Sequence, residues 1–414
     1  MTAPGGRVGT FDGSPTGLPS PRFLAMSPRV AVVWTPEFLT YRLSPDHPLN
    51  PVRLDLTIRL AGELGVLDGV DLLEPEPAPE TELHRVHVPS YLEAVRLAPV
   101  KGDDPAHGLG TDDNPIFEGM HEASCLVCGG SLLAAREIAA GRADRAVNIA
   151  GGLHHAMRDH ASGFCVYNDC AVAVSWLLDH GFERIAYLDV DVHHGDGVQA
   201  AFYHDPRVLT ISLHQHPLTL WPGTGWPAEY GEGAAAGSAV NVALPPGTAD
   251  AGWLRAFHAV VPSLLEAFRP QVLVTQCGAD THAEDPLAHL RLSVDGHRAI
   301  YREMRGLAER TAGGKWLALG GGGYGLFRVV PRSWTHLLAT VLDRDVDTRT
   351  PVPDGWVGYT SRLTGRPLPT EMSDGVEVAH EPWGEGADRV DASVIDTRRA
   401  VFPLHGLDPD DPRD

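Results

Sequence analysis

A chain of 414 residues with 43% hydrophobic and 21% charged residues has the make-up of a globular protein with a large interior, which argues against fibrous and mostly disordered classes. Lys plus Arg number 33 against 54 for Asp plus Glu, a formal charge of −21, and with no basic patch in the sequence nucleic-acid binding is not expected. No apolar run approaches the ~20 residues that span a bilayer, and five cysteines, an odd number in a long chain, read as reduced, buried thiols of a cytoplasmic protein with no membrane partner.

Residues 1–28 are rich in Gly, Pro and Ser and lack an apolar h-region, so a disordered leader is expected there rather than an export signal. Val30-Ala31-Val32-Val33-Trp34 is the first expected strand, ended by Pro36. From Pro51 the segment VRLDLTIRLAGELGVL has helical apolar spacing and stops near Gly65; PEPAPE at 75–80 is a loop, after which another strand and helix cycle is expected. HEASCLVCGGSLLAAREIAAG predicts a long buried helix ending at Gly141. The apolar runs 146–150, 184–192, 208–213, 271–278 and 315–321 alternate with helical segments, which predicts a mostly parallel sheet covered by helices. From about residue 343 prolines and acids dominate, so 343–414 is expected to be a C-terminal extension that wraps the core or is partly mobile, leaving 29–342 as one catalytic domain without internal repeats.

Ligands of such sheets bind beyond the carboxyl ends of the strands, and here those ends carry GGLHHA, DVDVHHGDG, SLHQH, CGADTHAEDP and GGGGYG. Strand side chains alternate along Tyr187 to His193, so Asp189, Asp191 and His193 are expected to point to one face and Val190 and Val192 to the other. Carboxylates crowded at a buried strand end repel one another and lose their hydration unless a cation compensates, so a divalent metal is expected, with Asp280 as a third ligand and an open position for water or substrate. The adjacent His154 and His155 offer a base and an acid, and Asp189 and Asp196 are available to fix their tautomers. Four successive glycines satisfy GxGxxG trivially at 320–325, and Pro331 stands where a phosphate-binding helix should already run; the segment reads instead as a close-approaching loop that presents Tyr324 to an oxyanion. Cys125 and Cys128 form a CxxC without a second pair and read as core thiols.

His47-Pro48, DNPIFEG, GGLHHA, SGFCVYND, LDVDVHHGDGV, WPGTG, GADTHAEDP and GGGGYG together resemble the zinc-dependent histone deacetylase superfamily, and within it the bacterial acetoin-utilisation deacetylases that look like class I enzymes. The resemblance runs from about Val30 to Leu342 and implies an arginase-like α/β fold, a parallel eight-stranded sheet between helices. It implies Asp191, His193 and Asp280 as the metal ligands and His154 and His155 as the catalytic pair, supported by Asp189 and Asp196 respectively, with His155 as general base and then acid. Tyr324 is implied to polarise the substrate carbonyl, Gly163, Phe164 and Trp221 to form a narrow tunnel for the lysine stem, Gly322 to contact substrate, and Asp113 to hold the peptide backbone at the rim. Arg53 is implied to lie near an inner acetate channel, and a structural potassium ion to sit at the carbonyls of Asp189, Asp191, His193 and Leu213 and the hydroxyl of Ser212.

The implied activity is removal of acetyl groups from N-ε-acetyl-lysine of proteins, with an acetylated acyl-CoA synthetase as a plausible substrate. Two departures from the eukaryotic pattern, Trp221 in place of Phe and His282 with Glu284 after Asp280, are expected to alter pocket shape and acyl preference. Two carboxylates and one imidazole form a harder ligand set than the His-rich or Cys-rich zinc sites, so iron(II) or cobalt is admitted beside zinc. The rival readings are an acetylpolyamine or other small-molecule deacetylase, an acyl-lysine binding protein, and a binuclear manganese enzyme. The full constellation argues against the binding protein, and the His154-His155 pair, standing where a second metal's ligands would be, argues against the manganese enzyme.

Overall fold

A computed structural model describes residues 28–379, 381–383 and 388–414, together with Met1, Thr2 and Gly5; the expected leader falls almost wholly outside the described residues. The chain begins with β1 (Val30–Val33) and α1 (Val52–Glu63), and continues through β2 (Leu72–Leu73), α2 (Glu80–Leu83), α3 (Pro89–Lys101) and α4 (Met120–Ala139). It then runs β3 (Arg145–Asn148), α5 (Asp169–Asp179), β4 (Ile185–Asp189), α6 (Asp196–Phe202), β5 (Val208–Gln215), β6 (Ala239–Leu244) and α7 (Asp250–Phe268). After these come β7 (Val272–Gln276), α8 (Val294–Thr311), β8 (Trp316–Leu319), α9 (Val330–Val341), α10 (Asp354–Thr360) and α11 (Arg389–Val401).

The strands form the expected eight-stranded parallel sheet, in the order β2-β1-β3-β8-β7-β4-β5-β6. From β3 to β8 every strand residue is buried, which a parallel sheet achieves only with helices over both faces. Helix α4 lies along β1 and β3 and packs on α3 and α5, whereas α1 and α8 both pack on α9. Two strands escape the apolar-run criterion: β2 has only two residues, with Leu72 exposed, and the run of β6 is broken by Asn241. The cycle expected after residue 80 holds helices only, because Pro89 occupies the first turn of α3 and the chain reaches no further strand before β3. Among the described residues no helix is long and apolar enough to cross a membrane.

The described part of the extension wraps the core through buried anchors. Trp356 of α10 is fully buried and its indole N–H donates to the Leu56 carbonyl of α1 at 2.9 Å. Thr397 of α11 donates to the Asn241 carbonyl of β6 at 2.6 Å, and the buried Arg398 to the Ala259 carbonyl of α7 at 2.6 Å.

What positions the site is the row of residues at the carboxyl edge of four adjacent strands. Asp189 pairs in register with Gln276, Gln276 with Leu319, and Leu319 with Asn148, so the loops leaving β4, β7, β8 and β3 start side by side. The loop after β3 is held from outside by His87, whose Nε2 accepts the Asn168 N–H at 3.0 Å and whose Nδ1 therefore carries the proton donated to the Met157 carbonyl at 2.9 Å. Burial pushes His87 down to about 4, so the folded protein keeps it neutral. Its value lies below the ordinary 6.5 of the unfolded chain, so the stability it contributes is present above that value and is lost as pH falls toward 4. The destabilisation caused by His87→Asn is therefore expected to be about 2 kcal/mol smaller at pH 5 than at pH 7 in denaturant unfolding. An equal penalty at both pH values would show that His87 is not held neutral.

Candidate active site

The histidine pair is held by the start of α5. The Asp169 carboxylate accepts the N–H groups of Gly152 and Leu153 and the Ser131 hydroxyl. Asn168 caps α5 by accepting the Ala171 N–H at 2.9 Å, and its amide donates to the carbonyls of His154 and Ala156 at 3.2 and 3.0 Å. So fixed, His154 Nδ1 lies 2.7 Å from Asp189 Oδ2, His155 Nδ1 lies 2.7 Å from Asp196 Oδ1, and the two Nε2 atoms are 2.9 Å apart. With a carboxylate holding a proton on each Nδ1, the contact between the Nε2 atoms needs a third proton, and the pair carries one positive charge. Burial lowers both imidazoles, but Asp189 and Asp191 more than offset it for His154, which is raised to about 9. His155, opposed both by burial and by the His154 charge, is lowered to about 4 and is the neutral member.

Strand β4 ends at Asp189, so strand alternation does not carry Asp191 and His193 to its face. Asp189 turns to His154 and to the Tyr187 hydroxyl at 2.7 Å, and Asp280, from the loop after β7, is what joins Asp191 and His193. The ligand atoms of these three all lie within 4.8 Å of one another, His193 Nδ1 being 3.1 Å from Asp191 Oδ1 and 3.3 Å from Asp280 Oδ2. Asp191 Oδ2 accepts Gln276 Nε2 at 2.7 Å and the Gly322 N–H at 2.8 Å, and Asp280 Oδ1 accepts the Val192 N–H at 2.9 Å. Asp280 Oδ2 is buried and accepts no hydrogen bond. Burial and Asp191 raise Asp280 to about 6, while Asp191 and Asp280, against burial, raise His193 to about 10. An orphaned carboxylate oxygen in a cluster that draws positive charge fits a divalent cation, which replaces protons at such ligands.

Beside this cluster opens a slot of about 290 Å³ lined by Asp113, His155, Gly163, Phe164, His193, Leu220, Trp221, Leu287 and Tyr324. The buried His155 and His193 form its floor, the exposed Asp113 and Trp221 its rim. Trp221 meets His155 edge to face with ring centroids 4.7 Å apart, and Phe164 stands 5.7 Å from Tyr324. A β-carbon on Gly163, at φ 51°, would lie 2.5 Å from the Trp221 ring and 2.6 Å from His155, so only glycine lets this wall close. Tyr324 is tethered through its backbone N–H to Asp285 Oδ2 at 2.9 Å, while its hydroxyl has no hydrogen-bond partner among the described residues. Burial, with Asp280 and Asp191, raises its pKa well above the ordinary value, so it keeps its proton. At the rim His47 Nδ1 accepts the Leu49 N–H, and Nε2 therefore donates to the Asp113 carbonyl at 3.2 Å.

Arg53 is buried, donates to the Gly323 carbonyl at 3.0 Å and lines a separate inner cavity of about 20 Å³ with Phe38, Tyr41 and Leu153. Ser212 is the register partner of Asp189. Because His214 Nε2 is bonded to the Gly225 carbonyl, the Ser212 hydroxyl donates to His214 Nδ1 and keeps its lone pairs available.

Two placements differ from expectation. Gly322 is not among the residues lining the slot; its N–H serves Asp191, and the loop after β8 reaches the slot two residues on, at Tyr324. His282 and Glu284 do not shape the slot either: His282 turns away to Asp374 of the extension and Glu284 pairs with Arg328. Asn168, Asp169, Gln276 and Asp285 were not singled out from spacing. The signal available was polar residues adjoining apolar runs, Gln276 in QVLVTQCG and Asn168-Asp169 ahead of an apolar helix.

Fold and site define the arginase and deacetylase class of metal-dependent hydrolases. The Histone deacetylase domain matches residues 47–341. The chain is 40% identical over 347 residues to the acetoin utilization protein AcuC of Bacillus subtilis (strain 168), covering 83% of this chain and 89% of that protein. It is 35% identical over 352 residues to AcuC of Staphylococcus aureus (strain MSSA476), covering 84% and 90%. Among solved structures, an HDAC homologue from Aquifex aeolicus superposes with a TM-score of 0.73 at 29% identity, covering 87% of this chain and 92% of that one. An HDAC homologue complexed with SAHA superposes with a TM-score of 0.77 at 28% identity, covering 90% and 99%. The chain belongs to the histone deacetylase family.

A β-carbon on Gly322 would lie 2.0 Å from Asp280 Oδ2 and 2.8 Å from Asp191 Oδ2. Gly322→Ala is therefore expected to fold yet to bind zinc about 10–100-fold more weakly, read by chelator competition on metal-stripped protein. Unchanged affinity would show that the loop yields without disturbing the ligand pair.

Proposed function

We propose that this amidohydrolase removes the acetyl group from N-ε-acetyl-lysine of proteins, releasing acetate and the free amine. The observation that carries this reading is the slot: between the rim Asp113 and the histidine floor its walls are Gly163, Phe164, Leu220, Trp221 and Leu287. Such walls bury methylenes and leave a charged, unacetylated ammonium without a partner along the way, so the neutral acetylated stem enters at lower desolvation cost.

Asp191, His193 and Asp280 would hold the divalent ion, which when bound supplies Lewis acidity to the amide carbonyl and the attacking water. His155, neutral and open to the slot, takes the proton of that water at Nε2 in place of the one this nitrogen accepts from His154 in the resting site, and later returns it to the departing amine. Asp196 keeps the proton on the other nitrogen, and the charged His154, held by Asp189, stabilises the negative charge that develops alongside. The Tyr324 hydroxyl, protonated and unpartnered, donates to the carbonyl oxygen as it becomes an oxyanion. Asp113 receives the substrate backbone at the rim, and the inner cavity beside Arg53, which at about 20 Å³ holds about one water molecule, would have to widen to pass released acetate.

Zinc, iron(II) or cobalt suits the ligand set. A potassium ion at the carbonyls of Asp189, Asp191, His193 and Leu213 with the Ser212 hydroxyl is part of the same proposal. Within it, an acetylated acyl-CoA synthetase is the protein partner, in keeping with relatives named for acetoin utilization. A cytoplasmic setting agrees with five buried, unpaired cysteines.

The deciding experiment is acetate release by metal-stripped protein reloaded with zinc, iron(II) or cobalt, offered an acetyl-lysine peptide and an acetylpolyamine side by side. Metal-dependent turnover of the peptide is expected; turnover of the polyamine alone moves the assignment to small molecules. Tyr324→Phe is expected to retain its metal while kcat falls about 10²–10³-fold, and near-normal rates in that variant would reduce Tyr324 to a wall residue.

A further inference from the structure

The extension beyond residue 343 contributes no group to the reaction above, yet one of its carboxylates reaches the loop that carries Asp280. His282 Nδ1 accepts the Glu284 N–H at 3.0 Å, so its proton sits on Nε2 and is donated to Asp374 Oδ2 at 2.8 Å. The same oxygen accepts the N–H of Val294, the first residue of α8, at 2.8 Å. The other oxygen accepts Arg332 Nη2 at 2.8 Å. Arg332 is almost fully buried in α9, the helix that follows the Tyr324 loop, and its Nη1 also donates to the Ser373 carbonyl at 2.8 Å. The segment around Asp374 is itself fixed. The Asp295 carboxylate accepts the Ser373 hydroxyl and the N–H groups of Asp374 and Val376, while His336 donates to the Met372 carbonyl at 2.9 Å.

Asp374 thus joins three segments through one side chain: the Asp280 loop, the start of α8 and the helix behind Tyr324; from inside the core His297 of α8 makes a second such junction, touching Thr281 at 2.8 Å and Ser333 at 2.9 Å. Burial pushes Asp374 up, but the His282 hydrogen bond and the Arg332 charge more than offset it and hold the carboxyl below the usual range. The consequence for the site follows from Asp280. Its inward oxygen accepts no hydrogen bond, so where that oxygen points is set by the other oxygen's bond to Val192 and by the backbone, which is anchored on the core side at Thr281 by His297 and on the outer side at His282 by Asp374.

We propose that Asp374 is a positioning residue for the reaction, a clasp through His282 and Arg332 that holds the Asp280 loop against the helix behind Tyr324, so that residues 370–376 belong to the catalytic unit. The proposal rests on Asp280 being a metal ligand, as in the function proposed above. It is tested in the full-length chain with Asp374→Asn and Asp374→Ala. The comparison variant is Thr397→Val, which loosens the extension at its distant anchor on β6. Zinc Kd of the stripped protein, kcat and KM on an acetyl-lysine peptide, and Tm are measured for each. Asp374→Asn is expected to weaken zinc binding about 10–100-fold and to lower kcat with KM little changed, while Thr397→Val lowers Tm and leaves zinc affinity and kcat as they were. Asparagine keeps the shape of the side chain, so the test stands where the alanine variant fails to fold. Zinc affinity and kcat in Asp374→Asn equal to those of the unsubstituted protein overturn the clasp alone, whereas absence of zinc binding in the unsubstituted protein overturns the reading of the site and the clasp with it.

Discussion

Mutual repulsion among buried carboxylates is the constraint on which the rest of this structure depends. Asp189, Asp191, Asp196, Asp280 and Asp285 are all less than a tenth exposed and gather at the carboxyl edge of four adjacent strands. Leaving such groups charged and unpaired in a protein interior costs far more than a domain's net stability, so each must find a cation, a proton or several N–H donors. Asp189 and Asp196 are matched by imidazoles, Asp191 by Gln276, Gly322 and His193, and Asp285 by the N–H groups of Tyr324 and Leu287. Even so, burial and Asp280 raise Asp285 to about 7, and the convergent oxygens of Asp191 and Asp280 face one imidazole between them. That residual imbalance suits the place to a divalent cation, and Asp189 and Asp191 keep His154 charged.

The same imbalance explains the architecture around it. A parallel sheet brings four strand ends together on one edge, and short glycine-rich segments let the loops approach closely enough for backbone N–H groups to reach the carboxylates. Buried polar side chains behind the loops, Asn168, Asp169 and Gln276, then fix the orientation of the histidines and of Asp191, a rigid support suited to chemistry that tolerates little misplacement. The Asp280 loop is braced from the far side by the C-terminal extension, whose contacts with α1, α7 and β6 make it part of the packed body.

Much of this was legible beforehand. The alternation of apolar runs and helical segments was enough for the parallel sheet, and polar clusters after those runs marked the site, because burial on both faces forces strands to be apolar and leaves chemistry to their ends. The two missed strands fail that test for simple reasons: β2 has two residues at the sheet edge, and Asn241 interrupts β6 with a side chain that serves Gln199 and a loop carbonyl. Spacing misled where the chain leaves its ladder. Alternation past Asp189 would have put that residue on one face with Asp191 and His193, and proximity to Asp280 would have put His282 in the pocket. In both cases the backbone is irregular and the side chain follows the nearest unsatisfied partner rather than a period.

By itself, then, the sequence determined the kind of protein: its layered fold, its inventory of carboxylates and imidazoles, and the strand ends from which they arise. Only the tertiary structure decided which atoms face which. The Gly322 N–H meets Asp191 across 131 residues of chain, Tyr324 is tethered to Asp285 across 39, and His282 answers to Asp374 across 92. Pairings at such separations are set by the order of strands in the sheet and by the packing of the last helices, and local spacing carries no record of either.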